Sequence, residues 1–261
     1  MYIGIDIGGT NARVAASYAL KDGFRFTKKV FKFSHNFDYD FSHIIQVIKE
    51  FEVRKVYAIG MGVPGDLNKE KTSFVSPSKN LAEWSNKPIE KTLTETFHCP
   101  VFLENDAVVA AIGESHFGKG KDKDFTYLIW GTGIGGAVVH WEKEKAMADK
   151  LNWYQYFDSW EQDCGGNAIR KHFGKSAQLL NEEEWKEIMK DFTQHLLTFC
   201  ENTKPSLVIF GGGIAFKQTD RLYSSIHTQV LEHKLPEIQI STIDEDTGLY
   251  GAFGLLKQEV R

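Results

Sequence analysis

The sequence predicts an α/β protein in two halves, each a mixed sheet flanked by helices, and two observations support this fold class. The chain has 261 residues, of which 42% are hydrophobic and 25% charged, the composition of an ordinary globular protein with a substantial core. Each half begins with a short apolar strand, a glycine-rich turn and a second strand, and then continues with alternating helices and strands. The halves share this layout but not residue identity, so the chain is not a solenoid of repeats.

Hydrophobic spacing predicts where these elements lie. Apolar runs and alternating patterns predict strands, whereas apolar residues three and four positions apart predict helices. The predicted strands are residues 2–7, 13–18, 24–33, 55–61, 101–103, 125–130, 137–141, 207–210 and 238–240. The predicted helices are residues 41–51, 87–97, 107–117, 181–201, 222–231 and 247–257. The stretch 142–159 receives no assignment, and residues 119–123 are predicted to form a solvated loop.

Composition and charge exclude several classes of protein. The chain carries 31 Lys and Arg residues against 35 Asp and Glu residues, so no excess of positive charge would recruit nucleic acid. The three cysteines, Cys99, Cys164 and Cys200, are widely spaced, so neither a disulfide framework nor a structural zinc site is expected. No apolar run reaches the roughly 20 residues of a membrane helix, and Asp6 follows the start too closely for a signal peptide. We therefore expect a cytoplasmic protein with no membrane partner.

The first glycine turn has the residue types of a phosphate site. The carboxylate of Asp6 is followed by Gly8, Gly9, Thr10 and Asn11. Glycine lets successive backbone N–H groups approach an anion closely, and the threonine hydroxyl adds a donor. Asp6 would hold Mg²⁺, directly or through water, because a carboxylate is a poor neighbour for bare phosphate. A tight hairpin turn with a solvated aspartate is the alternative that this motif alone leaves open.

Two further glycine clusters follow apolar strands in the second half. The first contains Gly131, Thr132 and Gly133, and the second contains Gly211, Gly212 and Gly213. Neither cluster has the sequence of a P-loop, and hairpin geometry or close packing explains each one on its own. Three such clusters at strand ends, one of them led by an aspartate, together predict a nucleotide site.

The segment Glu104-Asn105-Asp106 lies between a predicted strand and an apolar helix. Asn or Asp at the start of a helix is most often an N-cap, and that reading suits one of the two residues. In the other reading, Asn105 binds a hydroxylic substrate and Asp106 accepts its proton. A phosphoryl-transfer enzyme needs such a base beside its phosphate site.

Several motifs occur in one order along the chain. They are Asp6-x-Gly-Gly-Thr10, Gly62-Val-Pro-Gly65, Asn80-Leu81, Glu104-Asn-Asp-Ala107, Gly131-Thr-Gly-Ile-Gly-Gly136, Gly211-Gly-Gly213 and Gly248-x-x-Gly251-Ala252. In this combination the sequence resembles the ROK family of sugar kinases, within the actin/hexokinase/Hsp70 superfamily. The resemblance runs from the first residues to the last helix. It implies a two-lobed actin-like ATPase (ribonuclease H-like) fold, in which each lobe is a mixed sheet flanked by helices.

The resemblance also implies domains, ligands and partners. A small lobe would contain residues 1–106 and the returning helix 247–261, and a large lobe would contain residues 107–246. ATP would bind with residues 8–11 and 131–133 at its phosphates and residues 211–213 near its adenosine, and with Mg²⁺ at Asp6. The sugar-binding residues would be Gly65, Asn80, Asn105 and Asp106, with Asp106 as the general base. A homodimer is the assembly that the family suggests.

The sequence departs from the family after the second glycine turn. Most members carry a Glu-x-Gly-His element there, followed by a cysteine-rich zinc loop, and neither occurs here. Glu161, followed by Gly165-Gly166-Asn167-Ala168-Ile169, matches the later family pattern and is carried over as a sugar ligand. A surface glutamate at a helix start is the alternative for Glu161. Asp149 or an aromatic residue of 153–157 is a candidate replacement for the missing ligands.

Three functional hypotheses follow. The first is an ATP-dependent hexokinase that most plausibly acts on glucose, and the second is a kinase for N-acetylmannosamine or N-acetylglucosamine. The third is a sugar-binding member of the family with weak or lost catalysis. A DNA-binding repressor is disfavoured, because the family's repressors carry a helix-turn-helix before the first glycine motif and Asp6 is reached at once here.

Overall fold

The computed structural model describes residues 1–8, 11–21, 23–34, 36–52, 54–77, 79–233, 235–243 and 246–260, without the side chains of residues 77, 79, 80 and 227–233. Along the chain, the strands are β1 (Tyr2–Ile7), β2 (Asn11–Ser17), β3 (Thr27–Lys32), β4 (Ala58–Val63), β5 (Gly65–Leu67), β6 (Phe74–Pro77), β7 (Val101–Asn105), β8 (Phe125–Trp130), β9 (Ile134–Glu142), β10 (Lys145–Lys150), β11 (Leu207–Gly211) and β12 (Glu237–Ile240). The α-helices are α1 (Phe37–Lys49), α2 (Ile89–Phe97), α3 (Asp106–Phe117), α4 (Trp153–Tyr156), α5 (Asp158–Cys164), α6 (Gly166–Phe173), α7 (Glu182–Thr203), α8 (Gly213–Lys217), α9 (Thr219–His233) and α10 (Thr247–Glu259).

The two halves contain sheets of the same topology. In the described residues the first sheet has the strand order β3-β2-β1-β4-β7, and the second has the order β10-β9-β8-β11-β12. In each sheet the first three strands of this order are antiparallel, and the last two run parallel to the hairpin strand beside them. The predicted layout of strand, glycine turn and strand at the start of each half is therefore confirmed. Strands β5 and β6 form a separate antiparallel pair.

Polar side chains fix where several helices begin. Asn181 accepts a hydrogen bond from the backbone N–H of Glu184, and the Glu184 carboxylate accepts one from the Asn181 N–H, which is a capping box at the start of α7. Asn36 caps α1 in the same way, by accepting from the N–H of Tyr39. These caps satisfy backbone N–H groups that the first helical turn leaves without partners.

Helices α3 and α10 lie together between the two sheets. Leu249, Phe253 and Leu256 of α10 pack with Ala15 and Ala58 of the first sheet. On the other side, the apolar residues of α3, among them Val108 and Ile112, pack against β8, β9 and β11 of the second sheet. The pair of helices therefore links the cores of the two halves, and residues at their N-terminal ends face the space between the sheets.

The stretch that the sequence left unassigned is ordered secondary structure. Residues 145–150 form β10, an edge strand that pairs with β9, and the short helices α4 and α5 follow it. Among the described residues, no helix is long and apolar enough to cross a membrane. The predicted lobe boundary after residue 106 stays a prediction.

Candidate active site

Asp6 is held in place by the first hairpin. The antiparallel register sets Asp6 of β1 directly opposite Arg13 of β2, and Nη1 of Arg13 donates to Oδ2 of Asp6 at 2.8 Å. The Asp6 side chain is only 13% exposed. Burial raises the pKa of Asp6, and the neighbouring guanidinium opposes that rise. Gly248, near the start of α10, leaves room for this carboxylate, since a Cβ there would lie 2.4 Å from Cγ of Asp6.

Asp106 is the first residue of α3 and directly follows β7. The backbone N–H of Ala107 donates to Oδ1 of Asp106 at 2.9 Å. Burial raises the pKa of Asp106 to about 6, and the negative charge of Asp6 adds to that rise. A carboxylate with this pKa is largely ionised near neutral pH yet is a better proton acceptor than a solvated aspartate.

Asn105 is the N-cap of α3 and also ties this helix to β5. Its Oδ1 accepts from the N–H of Ala107 at 3.0 Å and of Val108 at 3.4 Å. Its Nδ2 donates to the carbonyl of Gly65 at 2.9 Å. The capping interpretation is thus confirmed for Asn105, and the same side chain brings the two predicted sugar ligands Gly65 and Asn105 together.

A cleft of about 310 Å³ contains both aspartates and the third glycine cluster. We call it the central cleft. Its lining includes Asp6, Arg13, Asp106, Tyr127, Gly211, Gly212, Gly213, Thr247 and Gly248. Residues predicted as adenosine-binding (211–213), metal-binding (Asp6) and catalytic (Asp106) therefore share one cavity, although they come from three distant parts of the sequence. Among the described residues that line this cleft, Arg13 is the one with a cationic side chain.

In the third glycine cluster, Gly211 and Gly212 are required by steric and conformational constraints. A Cβ on Gly211 would lie 1.8 Å from the buried hydroxyl of Tyr127, so no other residue fits there. Gly212 has a φ of +91°, which side-chain-bearing residues rarely adopt. Gly213 then begins α8, and a Cβ there would meet nothing within 4 Å. The open space beside Gly213 continues into a second cavity.

That second cavity has a volume of about 230 Å³, and we call it the side cavity. Its lining includes Gly131, Thr132, Gly166, Arg170, Gln178, Gly213, Lys217 and Gln218. The second and third glycine clusters therefore border the same cavity, and Gly213 borders both cavities. The Gly131 and Thr132 carbonyls accept the N–H groups of Gly166 and Asn167 at 2.9 Å, which fixes the turn against α6.

Glu161 lies beneath the second glycine turn. Its Oε2 accepts the backbone N–H of Ile134 at 2.8 Å and the indole N–H of Trp153 at 3.3 Å. A Cβ on Gly133 would lie 2.3 Å from the same oxygen, so the carboxylate occupies the space that this glycine leaves open. Glu161 lies in the first turn of α5, as the alternative interpretation expected, but it is half-buried and supports the glycine turn instead of standing free on the surface.

Four predicted site residues of the first turn and the 3-10 helix remain to be placed: Gly8, Gly9, Thr10 and Asn80. Gly9 and Thr10 lie outside the described residues. Gly8 donates its N–H to the carbonyl of Asn11 at 2.9 Å and so closes the first turn. Asn80 lies in the 3-10 helix Lys79–Trp84, and its side chain is outside the described part of the structure.

Sequence reasoning missed several cavity residues. Arg13 was predicted as the first residue of a strand but was not assigned to the site, although a hairpin turn between residues 7 and 11 sets it opposite Asp6. Tyr127, Arg170 and Lys217 carried no signal, because their role depends on which cavity they line after folding. Among the described residues, no group of three or more His, Cys, Asp or Glu side chains is placed to hold a metal ion by itself.

Comparison with known proteins identifies the family and the fold of this chain. A model of the ROK family matches residues 2–146, which is more than half of the chain. The chain belongs to the ROK family. The predicted family is thereby confirmed.

Two curated relatives of this ROK protein match it over nearly their whole length. The glucokinase of Thermotoga maritima is 26% identical over 325 aligned residues, which cover 99% of this chain and 98% of that protein. The N-acetyl-D-glucosamine kinase of Histophilus somni is 26% identical over 310 aligned residues, which cover 98% of both. Both alignments are longer than the 261 residues of this chain, so each relative has segments that it lacks.

A solved structure shows the same fold. The ROK family glucokinase from Streptomyces griseus, in complex with glucose and AMPPNP, superposes with a TM-score of 0.78 at 20% sequence identity. The match covers 98% of this chain and 99% of that chain. The predicted fold class, a two-lobed actin-like protein with two mixed sheets flanked by helices, is therefore confirmed.

Proposed function

We propose that this ROK protein transfers the γ-phosphoryl group of ATP to a hydroxyl of a hexose, with glucose as the first candidate and Asp106 as the general base. The chain is a phosphotransferase with a hydroxyl acceptor, the class to which the two full-length relatives belong. The observation that carries the finer proposal is the central cleft, in which Asp106, Asp6 and residues 211–213 line one cavity.

In this proposal the side cavity and the central cleft bind different parts of ATP. The side cavity suits the adenosine, since the bare backbone at Gly213 leaves space for a flat base and a ribose, and Gly131 and Thr132 at its border would meet the phosphates. The phosphates would then pass Gly213 into the central cleft. There, backbone N–H groups and the Arg13 guanidinium offer donors to the phosphate oxygens.

Asp106 would perform the proton transfer. The acceptor hydroxyl gives its proton to the Asp106 carboxylate while its oxygen bonds to the γ-phosphorus, and the bond from that phosphorus to the β–γ bridging oxygen breaks, releasing ADP. A base whose pKa lies at about 6 is ionised and ready near neutral pH. Asp6, whose charge helps to raise that pKa, lines the same cleft.

The cleft also suits a magnesium ion at Asp6. Oδ2 of Asp6 is held by Arg13, and the rest of the carboxylate lines the cleft, which fits a divalent cation that keeps most of its waters. Mg²⁺ bound there would neutralise the charge on the phosphates. Arg13 holds this carboxylate in one orientation through Oδ2.

The acceptor side is built around Asn105 and Gly65. Both hydrogen-bonding atoms of the Asn105 amide already contact backbone, so its second amide hydrogen is the group that would meet a sugar hydroxyl. Glu161 and Asn80 are proposed as further ligands. An N-acetylhexosamine is the second candidate acceptor, because a full-length relative of equal identity is an N-acetyl-D-glucosamine kinase. Rates with a panel of hexoses and N-acetylhexosamines decide between them.

Replacing the base tests the reaction. Asp106→Asn keeps an oxygen to accept the Ala107 N–H but cannot take a proton, so kcat should fall by about 10²- to 10⁴-fold. The Kd for ATP should stay close to that of the wild type, because Asp106 does not bind the nucleotide in this proposal. A coupled assay gives kcat, and calorimetry gives Kd. A variant with full turnover would show that Asp106 is not the base.

A further inference from the structure

The segment Lys150–Trp153 begins with the last residue of β10, the edge strand of the second sheet. The glycine turn 131–133 lies at the same end of this sheet, where it joins β8 and β9. Lys150 ends β10 and pairs with Ala137 of β9, and the next residue, Leu151, donates its N–H to the carbonyl of Gly136 at 3.0 Å. The end of β10 is therefore fixed close to the turn that the side cavity uses.

Lys150 reaches from this position to the first half of the chain. Its Nζ donates to Oδ1 of Asp66 at 2.7 Å. Asp66 follows Gly65 in β5, and the Gly65 carbonyl is the group that the Asn105 amide holds. The ammonium group is thus held by the residue that follows Gly65, one of the proposed acceptor residues. Its positive charge also acts on Asp106, where it opposes the rise of that carboxyl's pKa.

This ion pair is easily opened. The side chain of Lys150 is 37% exposed and that of Asp66 is 62% exposed, and solvent-exposed pairs of this kind contribute little to stability. A ligand that offers oxygen atoms to the ammonium can therefore replace Asp66 at small cost. The long apolar stem of lysine allows the ammonium to move between two such partners.

We infer that Lys150 binds the acceptor and sets its charge selectivity: the ammonium donates to an acceptor oxygen and disfavours acceptors that carry an ammonium group. This inference rests on the proposed acceptor side. It assigns a binding role to Lys150, which lies between the sequence-predicted candidates Asp149 and 153–157 and was not itself one of them.

The inference predicts opposite effects for the two partners of the ion pair. Lys150→Met leaves the Asp66 carboxylate uncompensated, so a protonated amino sugar should gain affinity relative to a neutral hexose. Asp66→Asn leaves the ammonium uncompensated, so the amino sugar should lose relative affinity. Each ratio should move by about tenfold, since like charges in an interface are costly. If the pair served only to hold the halves together, both variants would break the same bond and act alike.

The experiment uses glucose and 2-amino-2-deoxyglucose at a pH at which the amine is protonated. Calorimetry gives the Kd of each sugar for the wild type, Lys150→Met and Asp66→Asn, and the coupled assay gives the KM for glucose and for ATP. Lys145→Met is the matched control, because Lys145 is at the other end of β10 and pairs with Glu259 at 3.6 Å. The control should change neither ratio. Lys150→Met should also raise the glucose KM and leave the ATP KM unchanged.

The outcomes separate this inference from the proposed function. Opposite shifts of the Kd ratio without phosphorylation of either sugar would support the role of Lys150 and overturn the kinase proposal. Phosphorylation of glucose with equal or same-direction shifts would support the kinase and overturn the role of Lys150. If the wild type bound neither sugar, both would be overturned.

Discussion

At the scale of single residues, Asp106 combines a catalytic advantage with a cost in stability. Burial raises its pKa from 3.8 to about 6, which improves the carboxylate as a proton acceptor. The same shift means that the ionised form is less stable in the folded protein than in the unfolded chain. In its proposed role as the base, Asp106 therefore weakens the fold around it, a common trade in active sites.

This cost predicts that Asp106→Asn is more stable than the wild type near pH 7. Because the folded pKa exceeds the unfolded one, the wild type loses stability as pH rises from about 4 to about 6, and the loss is complete above that window. The difference in the free energy of unfolding should reach roughly 3 kcal/mol at most at pH 7 and vanish near pH 4. Urea unfolding at a series of pH values measures it.

A control of opposite sign is available in Asp124. The Trp141 N–H and His140 lower the pKa of this exposed carboxyl, so Asp124→Asn should lose stability at neutral pH. An Asp106→Asn variant whose stability matched the wild type at every pH would contradict the prediction.

At the scale of secondary structure, an element could be predicted where its signal lies in consecutive residues of the sequence. The buried strand of residues 125–130 was predicted with its observed bounds, because a continuous apolar run ends at a glycine turn. Residues 145–150 were not predicted, because this edge strand mixes small and charged residues and is held by pairing with β9. The four-residue helix α4 is too short to show a helical period.

The site followed the same rule. The glycine turns and Asp106 could be proposed as site residues because their motifs are contiguous in sequence. Arg13 and Tyr127 could not, since a cleft lined by five chain segments places them together only after folding. Glu161 was proposed from its motif, yet its contacts with Ile134 and Trp153 could not be predicted from spacing.

Because Glu161 of α5 supports the glycine turn, two substitutions of Glu161 should affect the KM values differently. Glu161→Gln keeps an oxygen for the Ile134 N–H but loses the charge, so the sugar KM should rise while the ATP KM stays unchanged. Glu161→Ala leaves that N–H without its partner, which costs about 1–3 kcal/mol, so both KM values should rise. Steady-state kinetics with each substrate varied in turn makes the measurement.

Trp153→Phe is the matched control for this pair, because it removes the longer of the two hydrogen bonds to Glu161 and keeps the shorter one. Its effect should be smaller than that of Glu161→Ala. An unchanged sugar KM in Glu161→Gln would mean that Glu161 only supports the turn.

At the scale of the whole molecule, α10 connects the fold to the site. It packs on the first sheet through Phe253 and contacts α3 along its length, and Gly248 near its start lies against Asp6. The closest approach of α3 and α10 depends on glycine on both helices. A Cβ on Gly113 would lie 2.7 Å from the backbone nitrogen of Gly251. Neither helix can shift without moving a sheet and an active-site carboxylate.

This arrangement predicts that Gly251→Ala is severely destabilising. The new Cβ would lie 2.0 Å from the carbonyl oxygen of Val109, and backbone cannot move aside as a side chain can. The loss should be about 3 kcal/mol or more, although alanine favours a helix over glycine by about 1 kcal/mol. Gly254→Ala is the control, because its Cβ would meet the Ile112 methyl at 3.1 Å, the His116 ring at 3.2 Å and the Ile112 carbonyl oxygen at 3.3 Å, so each neighbour has to give by only a few tenths of an ångström. Thermal melting should show a large drop in Tm for Gly251→Ala and little change for Gly254→Ala. A Tm for Gly251→Ala as close to the wild type as that expected for Gly254→Ala would mean that the helix pair tolerates separation, and the link between α10 and Asp6 would then not be rigid.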